Sequence, residues 1–174
     1  MKIIYQDILI RDAKEKDVSI LTQWWNDGKV MAHAGFPTGI NTTIQKVKEQ
    51  LQEELKNYKQ RLIIEYKHQP IGEMCFFPFD DAIEIGIKIC EINMQNHGLG
   101  QNILTLFIQE LFHMGYSKII LSTDLNNLRA QHVYEKLGFK KYDIQYNSWQ
   151  DPQGDMHSTI FYELFPQNFI QQLK

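Results

Sequence analysis

Residues 84–139 carry the sequence EIGIKICEINMQNHGLGQNILTLFIQELFHMGYSKIILSTDLNNLRAQHVYEKLGF. An apolar strand opens this segment and leads into the turn Gln95–Gly100. A helix is predicted next, over Gln101–Met114, because its apolar residues recur in a broad stripe at helical spacing. A second strand is predicted over Lys118–Thr123, followed by a second helix over 126–137. This order predicts two sheet strands connected through a helix.

The first strand of the segment, Ile83–Ile89, alternates strictly between isoleucine and other residues. Successive side chains of a strand point to opposite faces of the sheet, so the isoleucines face one side. Glu84, Gly86 and Lys88 face the other side. The pattern predicts a central strand with one apolar face and one face that carries functional groups.

Upstream of this strand the sequence predicts two helices and three strands. The first helix, Lys16–Asn26, is expected to stop at Asn26-Asp27-Gly28, because glycine takes the left-handed cap conformation at little cost. Residues 30–40 are predicted to be irregular. Thr42 and Gln45 fit a capping box that opens an amphipathic helix reaching to about Tyr58.

The predicted elements follow the order β-α-α-β-β-β-α-β-α-β-β, which indicates a mixed sheet with helices on its faces. The last two strands flank Asp151-Pro152-Gln153-Gly154 and are predicted to form an antiparallel hairpin. Asp151 and Asp155 are expected to serve its turn. No linker or repeat interrupts the pattern, so residues 1–174 are predicted to form one domain.

Composition excludes several classes of protein. The net charge of −3 gives no basic footprint for nucleic acid, and no apolar run approaches the roughly 20 residues of a membrane helix. Cys75 and Cys90 form no CxxC pair and are expected to be buried thiols in a reducing compartment. The start of the chain shows no signal-peptide pattern, so a cytoplasmic location is expected.

The turn Gln95-x-x-Gly98-x-Gly100 stands after a strand and before a helix. The first amides of a helix have no internal partner, and the helix dipole favours an anion there. Glycine permits close approach of the backbone and positive φ. The pattern therefore fits a diphosphate site, although the same pattern also occurs in plain turns. A dinucleotide fingerprint is excluded because a third glycine is missing where Ile103 stands.

These residues resemble the GCN5-related N-acetyltransferase (GNAT) superfamily. Gln95-x-x-Gly98-x-Gly100 is similar to its acetyl-CoA motif. The run Asn127-x-Arg129-Ala130-x-x-x-Tyr134-x-Lys136-x-Gly138-Phe139 is similar to its second motif, in the same order and spacing. Within the superfamily, the chain looks most like the aminoglycoside 6′-acetyltransferase branch and the branch that acetylates ribosomal-protein N-termini.

The resemblance implies an α/β (α+β) fold in which about four helices flank a mixed, mostly antiparallel sheet of about seven strands. It implies direct acetyl transfer from acetyl-CoA, as co-substrate and without a metal, to a primary amine. Strand backbone would pair with the pantetheine arm, and turn amides would wrap the diphosphate. Arg129 would reach the phosphate or brace its helix. The coenzyme-binding residues implied in this way are Ile87, Ile89, Gln95, Asn96, His97, Gly98, Leu99, Gly100, Gln101, Asn127, Arg129 and Tyr134.

The resemblance makes Tyr134 the acid that protonates the departing thiolate. A phenol stays protonated at neutral pH and can supply a proton as charge develops. Spacing alone favours a core tyrosine on an amphipathic helix, and the resemblance favours the acid. An acceptor amine must also lose a proton, and Glu84 is the candidate base, with a solvated strand carboxylate as the alternative. Asp124 is a second candidate whose alternative role is to cap the next helix.

The acceptor side is expected to come from the first helices and the terminal hairpin. Asp27 suits a cationic amine, whereas core packing is the favoured alternative for Trp24 and Trp25, since large aromatic residues are mostly buried. The candidate acceptor residues are Trp25, Asp27, His33, Phe36 and Trp149. The predicted acceptor is a small-molecule amine of aminoglycoside-like type. The alternatives are a protein N-terminus or lysine, or a non-catalytic module that binds coenzyme A. A homodimer is an open alternative to a monomer.

Overall fold

Eight strands and five helices are present in the computed structural model, which describes residues 1–95 and 98–173. Asn96 and His97, both expected to contact the coenzyme, lie outside the described residues. The elements are β1 (Lys2–Tyr5), β2 (Ile8–Asp12), α1 (Val18–Asn26), α2 (Gly28–Met31), α3 (Ile44–Lys56), β3 (Gln60–Tyr66), β4 (Gln69–Phe79), β5 (Ala82–Ile89), α4 (Leu99–His113), β6 (Ile119–Asp124), α5 (Leu128–Lys136), β7 (Lys140–Gln150) and β8 (Met156–Leu164).

The strands form one sheet in the order β1-β2-β3-β4-β5-β6-β8-β7. Every neighbouring pair is antiparallel except β5 and β6, which are parallel and connected through α4. A parallel pair needs such a crossover, whereas antiparallel neighbours can be joined by short turns. The predicted fold class is confirmed, and the structure has one strand and one helix more than the sequence predicted.

The parallel strands β5 and β6 separate soon after they meet. They pair only at Ile83–Ile119 and Glu84–Ile120, whereas β5 pairs with β4 along its whole length. The amide of Ile83 donates to the carbonyl oxygen of Lys118 at 3.0 Å, so the odd-numbered residues of β5 turn their backbone groups toward β6. Beyond Glu84, the backbone groups of Ile85 and Ile87 therefore face a gap between the two strands.

Two apolar clusters lie on opposite faces of the sheet. One contains the buried isoleucines of β5, the buried face of α4, and Tyr134 and Leu137 around α5. The other packs Trp24, Trp25 and residues of α2 and α3 against the opposite face. Because β5 alternates, Glu84 and Lys88 point to the face covered by α1 and α2.

Three local predictions need correction. The cap of α3 is Thr43 rather than Thr42: the Thr43 hydroxyl accepts from the amide of Lys46 at 3.3 Å. Residues 30–40, predicted to be irregular, include part of α2. This helix is a single turn that tertiary packing stabilises and that no apolar periodicity signals. The apolar stripe of α3 is also less buried than its pattern indicates, since Val47 is buried while Leu55 and Tyr58 are exposed.

Within residues 1–95 and 98–173, none of the helices combines the length and apolar character that a membrane crossing requires.

Candidate active site

The turn before α4 has the backbone geometry of an anion site. Gly98 adopts φ 75° and caps the helix, a left-handed conformation that favours glycine. The amides of Gln101 and Asn102 donate to the carbonyl oxygen of Gly98 at 3.2 and 3.3 Å. The amides of Leu99 and Gly100 precede them, where a helix offers no internal acceptor. A Cβ built at Gly98 or Gly100 meets no described atom within 4 Å, so neither glycine position is crowded by the described residues.

Gln95 connects this turn to β5 and α5. Its side-chain nitrogen donates to the carbonyl oxygen of Ile89 at 2.9 Å, and its side-chain oxygen accepts from Nη1 of Arg129 at 3.0 Å. The two motifs found in the sequence therefore meet beside the gap. The carbonyl of Ile89 is bonded to this side chain, so Ile85 and Ile87 turn both backbone groups toward the gap, and Ile89 turns its amide there.

Asn127 fixes the start of α5. Its side-chain oxygen accepts from the amide of Ala130 at 3.3 Å, and its side-chain nitrogen donates to the hydroxyl of Thr123 at 3.1 Å. Asn127 is one of the residues that the resemblance implies for coenzyme binding. In the structure its side chain orients the helix that carries Tyr134, and it stands at the end of β6 that borders the gap.

Tyr134 is 8% exposed, on the α5 side of the sheet. Its ring packs edge-on against Tyr162, with centroids 5.7 Å apart, and against Phe139 at 5.9 Å. Every fully enclosed side-chain nitrogen or oxygen in the described part of the chain has a hydrogen-bond partner. None of the hydrogen bonds among the described residues involves the Tyr134 hydroxyl, so this oxygen is not completely enclosed. Burial raises the pKa of Tyr134 to about 12, which keeps the phenol protonated at neutral pH.

Glu84 lies on the face of the sheet opposite to Tyr134, at the end of β5 that still pairs with β6. It lines a groove of about 250 Å³ together with aromatic residues that include Tyr142 and Phe161. Burial raises the pKa of the Glu84 carboxyl, and a more distant charge on Lys59 opposes this shift. A carboxyl with a raised pKa accepts a proton more readily than a solvated one.

Trp25 is enclosed rather than open to a groove. It is 3% exposed, its indole N–H donates to Glu73 at 2.9 Å, and the guanidinium of Arg61 lies 4.7 Å from its ring centre. Glu73 also pairs with Lys88, whose side chain reaches Met31 on α2. Trp25 therefore belongs to a buried ionic network that fixes α1 and α2 over β5. No local sequence pattern signals this network, since its members are far apart in the chain.

Asp27 lines a groove of about 450 Å³ between α1 and the end of β5, which is larger than the groove that Glu84 lines. The exposed carboxyl of Asp27 accepts from the amide of Lys29 at 2.8 Å, which begins α2. Glu91 lines the same groove and accepts from the indole N–H of Trp24 at 2.9 Å. Two carboxylates thus stand beside the end of β5, and Glu91 was not identified from the sequence.

Trp149 brings the terminal hairpin to the loop after α2. Its ring stacks on His157 with centroids 4.3 Å apart and planes 11° from parallel. The far edge of the indole lies against Gly35, where a built Cβ would be 2.4 Å from Cζ3. Phe36, the next residue, packs partly buried on the α1 cluster, whereas His33 is exposed. The structure thus brings Trp149 next to the loop that holds Phe36.

His157 is a residue that the sequence did not single out. Its Nδ1 lies 2.9 Å from Asp124 and its Nε2 lies 3.1 Å from Asp151. Hydrogen bonds to Asp151 and Asp124 raise the pKa of His157, and the bond to Asp151 contributes more. The one available signal was its position in the hairpin, directly across from Trp149. Asp124 also accepts from the amide of Asn126 at 2.7 Å, in the turn that precedes α5.

Among the residues that the structure describes, no three histidines, cysteines, aspartates or glutamates are arranged to hold a metal ion. Both cysteines are free thiols. Burial raises the pKa of Cys75 and of Cys90, so neither is prepared to act as a thiolate nucleophile.

The comparisons with known proteins agree with this geometry. A family model described as an acetyltransferase (GNAT) domain matches residues 7–140. A mycothiol acetyltransferase of Streptosporangium roseum is 31% identical over 77 residues, which are 44% of this chain and 20% of that protein. The chain thus spans about a fifth of this relative's length.

Two solved structures are similar over nearly the whole chain. The ribosomal L7/L12 α-N-protein acetyltransferase RimL, in complex with coenzyme A, has a TM-score of 0.83 at 16% identity and covers 95% of this chain and 98% of its own. Spermidine N-acetyltransferase from Vibrio cholerae, in complex with coenzyme A and spermine, has a TM-score of 0.83 at 16% identity. The match covers 94% of this chain and 98% of the Vibrio cholerae chain. At these identities the likeness shows a shared fold.

Proposed function

The chain belongs to the GNAT acetyltransferase family, and from this premise we propose that it transfers an acetyl group from acetyl-CoA directly to a primary amine of a small molecule. The observation that carries the proposal is the gap between β5 and β6. The glycine turn stands at one end of this gap, and Tyr134 lies on its α5 side.

The residues along the gap suit the coenzyme. The backbone of Ile85 and Ile87 can pair with the amide-containing pantetheine arm as a strand edge pairs with an added strand. The amides of Leu99 and Gly100 can hold the diphosphate, and the absence of side chains at Gly98 and Gly100 leaves room for it. Bound acetyl-CoA supplies the activated acyl group.

The chemistry divides between the two faces of the sheet. As the amine nitrogen bonds to the carbonyl carbon, the carbon–sulfur bond breaks and the sulfur takes up charge. Tyr134 then donates its phenolic proton to that sulfur, which its raised pKa permits at neutral pH. Glu84, on the acceptor face, takes the proton that the amine loses, directly or through one water. The raised pKa of both cysteines supports direct transfer, without a thioester on the enzyme.

The charges of the larger groove favour a cationic acceptor. Asp27 and Glu91 place two carboxylates beside the end of β5. An ammonium group at one position of a polyamine or aminoglycoside would pair with such carboxylates while a second, neutral amine reacts. The Vibrio cholerae protein of the same fold is a spermidine N-acetyltransferase, which supports a small polyamine as the class to test first.

A protein N-terminus is the second candidate acceptor. Ile92 is 54% exposed on the wall of the larger groove and offers an apolar contact to an extended peptide. An N-terminal amine also has a pKa near 8, so a larger fraction of it is neutral at pH 7 than of an alkyl amine with a pKa near 10. RimL, with the same fold, is a ribosomal-protein α-N-acetyltransferase, which supports this alternative.

Release of free thiol from acetyl-CoA tests these proposals across a panel of polyamines, aminoglycosides, N-terminal peptides and lysine peptides. The proposal expects turnover that saturates with a small amine and that falls sharply in Tyr134→Phe. Saturation only with peptides would favour the second candidate. Binding of coenzyme A without acetylation of any amine would favour a non-catalytic module.

A further inference from the structure

We propose that Asp124, His157 and Asp151 form a bridge that seats Trp149 against the loop after α2 and so shapes the acceptor side of the site. His157 is then a positioning residue for acceptor binding. The inference rests on the proposed acetyl transfer, because it assigns the bridge to the side from which the amine enters.

The hydrogen bonds fix the charge of the bridge. A neutral imidazole carries one N–H, so it can donate to only one of the two carboxylates that face it. Both ring nitrogens of His157 stand within 3.1 Å of a carboxylate oxygen, and both contacts become hydrogen bonds only when the ring is protonated. The bridge is therefore a carboxylate–imidazolium–carboxylate array. Asp124 and Asp151 are its ion-pair partners among the described residues.

Each carboxylate is anchored in a different part of the fold. Asp124 ends β6, and its other oxygen receives the amide of Asn126 in the turn that begins α5. Asp151 is buried in the turn between β7 and β8, where its other oxygen receives the amides of Gln153 and Asp155, each at 2.9 Å. The imidazolium thus joins the coenzyme side of the site to the tip of the hairpin.

Trp149 extends this connection to the loop after α2. The indole stacks on the imidazolium, an arrangement that a positive charge stabilises. Its distal edge touches Gly35, whose φ of 88° and crowded Cβ position both require glycine. β6 also contacts residues 32–34 of the same loop. Loss of the bridge would free the indole and, with it, the loop that leads into Phe36.

The direction of the pH effect follows from the charge. Because two carboxylates raise the pKa of His157, the bridge is intact below that raised value and weakens as pH rises through it. His157→Gln lacks the charged ring at every pH. The ratio of acceptor KM in His157→Gln to that in wild type should therefore be greatest in mild acid and decline toward one as pH rises. The ionisation of the amine itself cancels in this ratio.

Steady-state kinetics on the full chain, with spermidine and N-terminal peptides as probes, test the bridge. His157→Gln should raise the acceptor KM about tenfold, the effect of losing one charged hydrogen bond, while the acetyl-CoA KM changes less than about twofold. Trp149→Phe keeps a stacked ring but loses the contact with Gly35, so it should also raise the acceptor KM. His113→Gln, an exposed histidine on α4, is the matched control and should match wild type.

Hydrogen exchange separates the bridge from the proposed reaction. In the free protein, His157→Gln should accelerate exchange in residues 28–40 and 124–130 and leave α4 unchanged. Equal increases in both KM values, a KM ratio that does not depend on pH, or unchanged exchange in both segments would overturn the bridge. Lack of turnover by wild type with every amine would refute acetyl transfer, and the exchange comparison would then decide whether the bridge exists.

Discussion

Nη1 of Arg129 donates a hydrogen bond to the side-chain oxygen of Gln95 at 3.0 Å, across 34 positions of sequence. Gln95 in turn donates to the carbonyl oxygen of Ile89 at 2.9 Å. One side chain therefore ties the end of β5 to α5, beside the gap that separates β5 from β6. This pair of bonds fixes the distance between the proposed diphosphate site and the helix that carries Tyr134.

Arg129→Ala should separate coenzyme binding from stability. Arg129 is exposed, so its loss should change the free energy of unfolding by less than about 0.5 kcal/mol. Loss of the bond to Gln95 and of a positive charge near the turn should weaken coenzyme A binding about fivefold, as calorimetry would measure. Unchanged affinity would show that the Gln95 bond has no part in binding.

Tyr134→Phe should remove the general acid and keep the fold. The ring contacts with Phe139 and Tyr162 remain, and the hydroxyl has no partner among the described residues to lose. We expect kcat to fall by about 100- to 1,000-fold, within the range of general-acid contributions, while the acetyl-CoA KM changes little. Tyr116→Phe, on the loop after α4, is the control. Turnover of Tyr134→Phe at the wild-type rate would exclude the phenol as the acid.

Glu84→Gln should change the pH profile rather than coenzyme binding. Burial raises the pKa of Glu84, so wild-type activity should fall as pH decreases through that raised value and the carboxylate is protonated. Glu84→Gln should lower kcat and remove this acidic limb, as measured from the pH dependence of kcat at saturating amine. An identical acidic limb in wild type and variant would assign proton removal to another group.

Gly100→Ala offers a test in which stability and binding move in opposite directions. The Cβ would enter open space inside α4, where alanine has the higher helix propensity, so the protein should be as stable as wild type or up to about 1 kcal/mol more stable. The same methyl group would stand where the diphosphate is proposed. Coenzyme A affinity should fall at least about tenfold by calorimetry. Wild-type affinity would place the diphosphate elsewhere.

Gly138→Ala should destabilise the helix that carries Tyr134. Gly138 and Gly115 both adopt φ 96°, which costs alanine about 1–2 kcal/mol. Only at Gly138 would the new Cβ also collide with the chain, at 1.9 Å from the carbonyl oxygen of Asn168. Urea unfolding should therefore show Gly138→Ala to be less stable than Gly115→Ala by at least about 1 kcal/mol. Equal losses of stability in the two variants would mean that the segment after β8, which contains Asn168, moves aside without cost.

Local patterns were enough to predict the centre of this fold. The alternation in β5, the glycine turn and the spacing of α4 and α5 are properties of neighbouring residues, and the structure has each element there. Gly98 has the left-handed conformation that the turn required, and Gly138 follows the end of α5. The widening between β5 and β6 could not be read from either strand, because it depends on where two separated strands stop pairing.

The parts that sequence did not reveal depend on distant partners. His157 meets Asp124 across 33 positions, and Trp25 meets Glu73 across 48. No periodic pattern signals either contact. Such contacts also decide which tryptophan is enclosed: Trp25 lies in an ionic network, whereas Trp149 stands where the hairpin meets the loop after α2.

A crystal structure of the protein with coenzyme A would show directly whether the proposed coenzyme site is right. We expect the diphosphate within hydrogen-bond distance of the amides of Leu99 and Gly100, the pantetheine arm alongside Ile85 and Ile87, and the sulfur within reach of the Tyr134 hydroxyl. A diphosphate bound away from this turn, or a sulfur on the far side of the sheet from Tyr134, would contradict it.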